Sequence, residues 1–213
     1  MLNSNAGMNP SIEPTVYVID DNRSVRDSLL DLFTVTNMRA AAFASGTEFF
    51  ETVDDADCPG CVVVDLQMPG ETGLDVQSRL ASLGSRMPVI FLTGHADVPS
   101  SVAALKAGAT DFIMKPFVSQ ALLEAVDHAM QVNVERRQAD AERDEVRTLA
   151  DTLTPRETEV MFGVVSGLMN KQVAYQLGVC EMTVKIHRMS VMRKMKTRSL
   201  ADLVRKVGKL RTD

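Results

Sequence analysis

Polar residues of three kinds follow four largely apolar runs in this 213-residue sequence. The runs are TVYVI (15–19), CVVV (61–64), PVIFL (88–92) and DFIM (111–114). The polar residues directly after them are, in chain order, Asp20 and Asp21, Asp65, Thr93 and Lys115. Carboxylate oxygens suit Mg²⁺, and one carboxylate can act as a nucleophile and become an aspartyl phosphate. A lysine and a hydroxyl can hold phosphoryl oxygens while negative charge shifts during transfer.

The elements that would position these residues alternate between strand and helix five times, which predicts an α/β doubly wound five-stranded parallel sheet. Predicted strands cover 15–19, 40–43, a central run ending at Asp65, 88–92 and 111–114. Predicted helices cover 24–36, the region around Phe49 and Phe50 with Ser45 as N-cap, 74–83, 98–106, and a last stretch from about 119. Because the carboxyl ends of parallel strands share one edge, we expect the polar residues to converge there.

Asp65 has two interpretations when it is taken alone. A strand-end aspartate often only caps the following turn, here marked by Pro69 and Gly70. A carboxylate at the end of a buried strand also costs free energy unless it is paired or metal-bound. Matching residues at the other strand ends favour the shared site.

Charge is distributed unevenly along the chain, although the total is only −5. Residues 1–128 carry 17 acids and 7 bases, whereas residues 151–213 carry 6 acids and 12 bases. This asymmetry predicts two domains with different partners, and the basic one is the candidate for nucleic acid. No apolar run reaches the roughly 18 residues of a membrane span. Residues 1–14 lack an apolar signal core and are interpreted as a flexible leader of a cytoplasmic protein.

The three cysteines do not form a disulfide framework. Cys58 and Cys61 have CxxC spacing, which leaves redox or metal chemistry open. A thioredoxin-like site opens a helix, however, whereas Cys61 begins a strand, and no second CxxC completes a zinc site. Two thiols in the core or a loop are the favoured interpretation.

The basic region predicts four short helices. Thr154, Pro155 and Glu157 form a capping-box start, and a second helix covers 170–177 before Gly178. A third begins near Glu181, and a fourth runs from Ser199 to about 210. Two short helices joined through a glycine turn fit a helix-turn-helix, which offers its second helix to the major groove. That helix carries a set of basic side chains that can neutralise phosphates: Lys185, His187, Arg188, Arg193 and Lys194.

The region 131–150 between the two parts contains neither glycine nor proline. Its charges are mixed and its apolar positions are sparse, so we interpret it as a helical linker exposed to solvent. A sustained heptad repeat is missing, and a short dimer-stabilising segment stays an alternative.

Residues 15–130 resemble the phosphoacceptor receiver domain of bacterial two-component response regulators of the FixJ/NarL type. The motifs are VIDDN (18–22), VVVDLQMPGETG (62–73), FLTGHADV (91–98) and KAGATDFIMKPF (106–117). The resemblance implies that Asp65 is the phosphoacceptor and that Asp20, Asp21, Asp65 and the Gln67 backbone carbonyl hold Mg²⁺. It further implies that Thr93 and Lys115 contact the phosphoryl group, that Phe112 moves with Thr93, and that the Lys115–Pro116 bond is cis. For Phe112, simple core packing is the alternative.

Residues 151–211 of the predicted domain 151–213 resemble a LuxR-type helix-turn-helix DNA-binding domain through LTPRETEV, GLMNKQVAYQLGV and MTVKIHR. By that resemblance Lys185, Ile186 and Met189 face base edges, while Thr183, His187 and Arg188 lie near phosphate or support the helix. Met189 departs from the basic residue of some members, and Val184 is expected in the core. The linker sequence NVERRQA is similar to that of StyR-like long-linker regulators of aromatic-hydrocarbon catabolism.

The expected function is therefore a DNA-binding transcriptional response regulator rather than an enzyme. The implied partners are a sensor histidine kinase, double-stranded promoter DNA, RNA polymerase and, after phosphorylation, a second copy of the chain through the 98–117 face. Two rivals remain: a phosphohydrolase with Asp65 as nucleophile, and a constitutive DNA-binding protein with the first domain as scaffold. Phosphohydrolases of the dehalogenase type carry a second aspartate two residues on, where Gln67 stands here.

Overall fold

The computed structural model describes residues 13–53, 57–94 and 110–211. The predicted leader up to residue 12, the predicted helix 98–106 and most of the 98–117 face lie outside the described residues. The chain divides into two compact units, one ending at Arg137 and the other beginning at Gln138.

The first unit is built on a five-stranded parallel sheet, which confirms the predicted fold class. The strands are β1 (Thr15–Ile19), β2 (Arg39–Phe43), β3 (Gly60–Asp65), β6 (Val89–Thr93) and β7 (Asp111–Met114), in the order β2-β1-β3-β6-β7. Two short strands, β4 (Gln67–Met68) and β5 (Glu71–Thr72), form an antiparallel pair around the Pro69–Gly70 turn. The sequence predicts the turn through Pro69 and Gly70 but not this strand pairing.

Buried residues on both faces explain why the central strands are apolar without alternation. Side chains of Ile19, Val64 and Phe91 lie in one core cluster, and those of Val18 and Val63 lie in another on the opposite face. A parallel strand covered on both sides needs apolar residues at successive positions. The unbroken run Cys61–Val64, of which every residue is fully buried, is therefore the centre of the fold.

Helices cover the sheet where the periodic pattern predicts them. Helix α1 (Arg23–Val35) begins after the N-cap Asn22, α2 (Gly46–Thr52) begins after Ser45, and α3 (Gly73–Ser82) begins after Thr72. The predicted N-cap Ser45 is confirmed, because its side chain accepts a hydrogen bond from the Glu48 N–H. Capping of this kind satisfies backbone donors that the first helical turn leaves open.

Both cysteines of the CxxC pair lie in the core. Cys61 is fully buried, and the Cys58 Sγ lies 2.9 Å from the Tyr17 hydroxyl. Burial raises the pKa of the Cys61 thiol to about 12, so this thiol stays protonated at neutral pH. The geometry supports the core interpretation over redox chemistry.

A single helix, α4 (Ser119–Asp151), contains the predicted linker. Its first part packs Leu122, Val126 and Ala129 against the sheet. Near its end, however, Val146 and Leu149 are buried in the core of the second unit. The expectation of a linker exposed throughout is therefore wrong for these positions, because two apolar residues three apart were too few for the periodic pattern to identify.

The second unit consists of four further helices and the end of α4. They are α5 (Pro155–Val165), α6 (Asn170–Leu177), α7 (Glu181–Lys194) and α8 (Leu200–Gly208), followed by a 3₁₀ turn at Lys209–Arg211. Thr154 and Glu157 form the predicted capping box, and Gly178 adopts the left-handed conformation that ends α6. Val184 and Val191 of α7 are fully buried, as is Met195 directly after it, which confirms the core position expected for Val184. Within the described residues, no helix has both the length and the apolar character needed to cross a bilayer.

Candidate functional site

Strand register brings the predicted acids to one edge of the sheet. Ile19 pairs with Val64, so Asp20 follows β1 level with Asp65 at the end of β3. One ligand oxygen from each of Asp20, Asp21 and Asp65 lies within 4.8 Å of the others. We name these three residues the acid site. Asp20 is fully buried, Asp65 is partly buried and Asp21 is exposed, so the site opens to solvent on one side.

Lys115 connects two carboxylates of the acid site. Its Nζ lies 2.6 Å from Asp20 Oδ2 and 2.6 Å from Asp65 Oδ2. Burial lowers the pKa of Lys115, but hydrogen bonds and charge attraction from Asp20 and Asp65 outweigh burial and raise the net pKa. The sequence placed Lys115 at this edge, whereas only the tertiary structure shows that it bridges both acids.

The acid site fits a divalent cation by its donor atoms and its charge. Three carboxylates face one ammonium, so negative charge remains in excess. Clustered hard oxygen atoms open to solvent are the ligands that Mg²⁺ prefers, because this ion keeps some of its waters. The chain therefore offers a place for Mg²⁺ at Asp20, Asp21 and Asp65.

Hydrogen bonds to and from the backbone hold the acid site in place, and the sequence alone does not predict those made by Arg26 and Gln67. Arg26 Nη1 donates to the backbone carbonyls of Asp20 and Asp21 at 2.7 and 3.0 Å. The Gln67 N–H donates to Asp65 Oδ1 at 3.0 Å. An arginine one turn into the helix after an acidic pair was the available signal for the first contact.

Gly73 is a further positioning residue that was not identified. A Cβ at this position would lie 2.7 Å from the Asp65 carbonyl oxygen and 2.9 Å from Phe91 Cε1. Only glycine allows the start of α3 to approach the end of β3 this closely. Its place at the end of the PGETG motif was the signal.

Thr93 and Phe112 lie on the neighbouring strands. Thr93 ends β6, is buried, and its carbonyl accepts a hydrogen bond from the Lys115 N–H at 2.6 Å. Phe112 pairs with Phe91 in register and packs, half-buried, against the core cluster that contains Phe91. The Lys115–Pro116 peptide bond is cis, as the sequence resemblance implied. The geometry places Thr93 and Lys115 together at the ends of β6 and β7.

Helix α7 carries the residues predicted to contact DNA. Lys185, Ile186 and Met189 are exposed, while Thr183, His187 and Arg188 are partly buried. Arg188 Nη1 donates to Asn170 Oδ1 of α6 at 3.1 Å, so it braces the two helices of the helix-turn-helix. Which of these residues contact base edges and which contact phosphate stays a prediction.

Lys194 of α7 pairs with a buried carboxylate of its own domain. Its Nζ lies 2.6 Å from Glu157 Oε2 and 3.0 Å from the Thr152 carbonyl oxygen. The Ser190 hydroxyl also donates to Glu157 Oε1, at 2.5 Å. The prediction that Lys194 belongs to the phosphate-neutralising set is not supported, because its charge compensates the buried Glu157 carboxylate.

Two protein families match the chain. Residues 16–127 match the response regulator receiver domain family, and residues 151–207 match the family described as bacterial regulatory proteins, luxR family.

Curated relatives cover most of the chain. Nodulation protein W of Bradyrhizobium diazoefficiens is 46% identical over 92% of this chain and 86% of its own length. Response regulator protein TmoT of Ectopseudomonas mendocina is 39% identical over 93% of this chain and 90% of its own.

Two of the solved structures that are similar to this chain cover 92% of it. The response regulator StyR has 43% identity and a TM-score of 0.79, covering 92% of this chain and 99% of that one. Full-length FixJ from B. japonicum has 34% identity and a TM-score of 0.57, covering 92% of this chain and 97% of that one.

Proposed function

Because this chain belongs to the bacterial response regulators, with a receiver domain followed by a luxR-type DNA-binding domain, we propose that phosphorylation of Asp65 controls its activity as a transcriptional regulator. The observation that carries the proposal is the Lys115 ammonium between Asp20 and Asp65 within a cluster of three acids. This arrangement places a cation where phosphoryl oxygens would lie.

The proposed donor is a phosphohistidine of a partner sensor histidine kinase. A carboxylate oxygen of Asp65 forms a bond to phosphorus while the phosphorus–nitrogen bond breaks, and the electron pair of that bond stays on the imidazole nitrogen. Lys115 exchanges its hydrogen bond to the Asp65 carboxylate for one to a phosphoryl oxygen, and the Thr93 hydroxyl contacts another. Asp20, Asp21, Asp65 and the Gln67 carbonyl would hold Mg²⁺, which supplies neutralisation of the phosphoryl charge.

The phosphorylated receiver would favour a state that dimerises and binds promoter DNA. Phosphorylation can shift this equilibrium only by the difference in its interaction with the two states. Thr93 and Phe112, on neighbouring strands, are the proposed residues that respond. The proposal also includes dimerisation through the 98–117 face and contact with RNA polymerase. The protein would act in the cytoplasm, where promoter DNA is found.

We further propose that phosphorylation of Asp65 is a signal and not a step in the turnover of phosphate esters. A phosphohydrolase of the dehalogenase type needs a general acid two residues after its nucleophilic aspartate. Gln67 stands at that position, carries an amide that cannot act as an acid, and contacts Asp65 through its backbone N–H. Steady-state release of phosphate from phosphate esters would contradict this proposal.

The testing experiment compares wild type with Asp65→Asn, a nearly isosteric change that removes the nucleophile. DNA binding and oligomeric state are measured with and without acetyl phosphate and Mg²⁺. We expect acetyl phosphate to raise DNA binding and dimer content in wild type only. Equal binding by both proteins under both conditions would instead establish constitutive DNA binding, with the receiver acting as scaffold.

A further inference from the structure

The exposed face of α7 carries three large apolar side chains among its charged ones. Met182, Ile186 and Met189 are 63%, 56% and 69% exposed. Their spacing of four and three residues places them in one stripe along the helix. We name these three residues the apolar stripe. It lies opposite the buried residues Val184 and Val191, so the packing of the domain core directs it outward.

Large exposed apolar side chains at this spacing need a partner surface. Single exposed apolar residues are ordinary, but three in one row on a short helix make a contiguous patch. The second helix of a helix-turn-helix enters the major groove, and its N-terminal residues meet the base edges. Rise along the helix separates Met182 from Met189 by about 10 Å. This distance matches about three base pairs at 3.4 Å each.

Polar side chains of α7 are largely occupied within the domain. Six of them have partners: Glu181 and Lys185 pair with each other, Thr183 pairs with Cys180, Arg188 with Asn170, and both Ser190 and Lys194 with Glu157. The Lys185–Glu181 pair is exposed, and DNA can displace it. Hydrogen-bond readout by α7 is therefore left mainly to Lys185, His187 and Arg193, and the three residues of the apolar stripe add an apolar surface beside them.

The major groove presents one apolar group, the 5-methyl group of thymine. We propose that the apolar stripe of α7 reads thymine 5-methyl groups, so that the preferred DNA half-site contains thymines within the three base pairs that the stripe spans. This inference rests on the proposed DNA-binding function and adds the chemistry of its specificity. Met182, which the sequence analysis did not select, is one of the three specificity-determining residues.

The experiment uses the full chain with acetyl phosphate and Mg²⁺, and first selects preferred duplexes from a randomised library. Each thymine of the selected site is then replaced by uracil, which keeps the hydrogen-bonding edge and removes only the methyl group. At each thymine under the stripe we expect affinity to fall by about fourfold, the factor that corresponds to burial of one methylene-sized group. Replacement outside those base pairs should leave affinity unchanged.

Three variants, Met182→Ala, Ile186→Ala and Met189→Ala, test the stripe itself. Each should bring the thymine-over-uracil affinity ratio towards one at a single position. Met169→Ala, an equally exposed methionine outside α7, is the matched control and should keep all the ratios. Because the stripe is exposed, thermal unfolding of these variants should match wild type.

The outcomes separate the inference from the function beneath it. Equal affinity for thymine and uracil at every position of a selected site, or ratios that persist in all three variants, would overturn the apolar readout and leave DNA binding intact. A library that yields no preferred sequence would overturn both.

Discussion

Charge balance at the acid site is decided by individual side chains. One lysine faces three carboxylates, and the most buried of them, Asp20, has its charge compensated by Lys115 at 2.6 Å. A buried carboxylate without a cation beside it destabilises the folded state. A lysine ammonium held against the same carboxylates, however, competes with Mg²⁺ for their oxygen atoms. Lys115 should therefore stabilise the receiver and weaken its affinity for Mg²⁺.

Replacing Lys115 with methionine keeps most of the side-chain volume and removes the charge. We expect the free energy of unfolding without Mg²⁺ to fall by about 3 kcal/mol, because two carboxylates lose their partner. Mg²⁺ affinity should rise, since no ammonium opposes the ion. Thermal unfolding across a Mg²⁺ titration measures both effects, and Lys171→Met in α6 is the control. Unchanged Mg²⁺ affinity in Lys115→Met would contradict the interpretation.

Glu157 gives the second prediction at this scale, concerning pH. Hydrogen bonds from Lys194, Ser190 and the Thr154 N–H lower the pKa of Glu157 from 4.5 to about 2. Because the pKa is lower in the folded state, the stabilisation is fully present above about pH 4.5 and is lost as pH falls towards 2. We expect Glu157→Gln to unfold more easily at pH 7 by about 2 kcal/mol, the scale of hydrogen bonds to a charged group.

Chemical unfolding of the two proteins between pH 7 and pH 2.5 measures this difference. The difference in the free energy of unfolding between wild type and Glu157→Gln should become smaller below pH 4.5. The control Glu159→Gln removes the same charge from an exposed pair with Arg156 and should have little effect. A difference in unfolding free energy that stays constant with pH would show that the charge of the Glu157 carboxylate does not cause it.

At the element scale, a polar cluster fixes α4 to the receiver at the edge of the sheet opposite the acid site. The Asn133 side chain is buried, accepts from the Gly60 N–H at 3.2 Å and donates to the Arg86 carbonyl at 3.0 Å. Arg137 donates to Asn133 at 3.0 Å and lies 3.3 Å from Asp57. The position of α4 is thus set by hydrogen bonds as well as by apolar packing.

Replacing Asn133 with alanine should loosen this part of α4. The Gly60 N–H and the Arg86 carbonyl lose their buried partner, which costs about 1–3 kcal/mol for each unsatisfied group. Hydrogen exchange of the α4 amides around residue 133 should become faster, and receiver unfolding should occur at lower denaturant concentration. Gln131→Ala, an exposed change on the same helix, should alter neither. Equal exchange in both variants would mean that apolar packing alone holds the helix.

At the scale of the whole molecule, the boundary between the compact units falls inside α4 and not at its end. Val146 and Leu149 are 2% and 9% exposed and belong to the core of the second unit. Lys206 and Lys209 also pair with Glu145 and Glu142 of α4. The DNA-binding unit therefore includes the last turns of the helix predicted as linker.

Fragments of different length test this boundary. A fragment 151–213, the predicted domain, should be less stable than 138–213 by about 3–5 kcal/mol, because it loses the burial of one valine and one leucine. A control fragment beginning at Asp144 keeps both residues and should lose little. Denaturant unfolding of the three fragments measures their free energies of unfolding and so locates the boundary. Equal stability of 151–213 and 138–213 would restore the predicted boundary.

Most of the receiver fold was predictable because its signals are local. Apolar runs predicted the strands, the capping residue Ser45 predicted a helix start, and the parallel arrangement implied a shared edge for the acids. The boundaries of α1, α3 and β6 differ from prediction by one residue, which is ordinary for frayed ends. The short strands β4 and β5 were missed because two residues carry no periodic signal.

The sequence alone determined the fold class, the two-part organisation, the family resemblance and the edge at which Asp20, Asp65, Thr93 and Lys115 lie. These follow from periodicity, turn residues and motif spacing, which act over a few residues. Only the tertiary structure decided which charges pair: Lys115 with two acids, Lys194 with Glu157, and Asn133 with Gly60, which is 73 residues away. Such contacts depend on the three-dimensional approach of distant elements, and no local pattern encodes that approach. The outward direction of the apolar stripe was likewise fixed by which face of α7 the core buried.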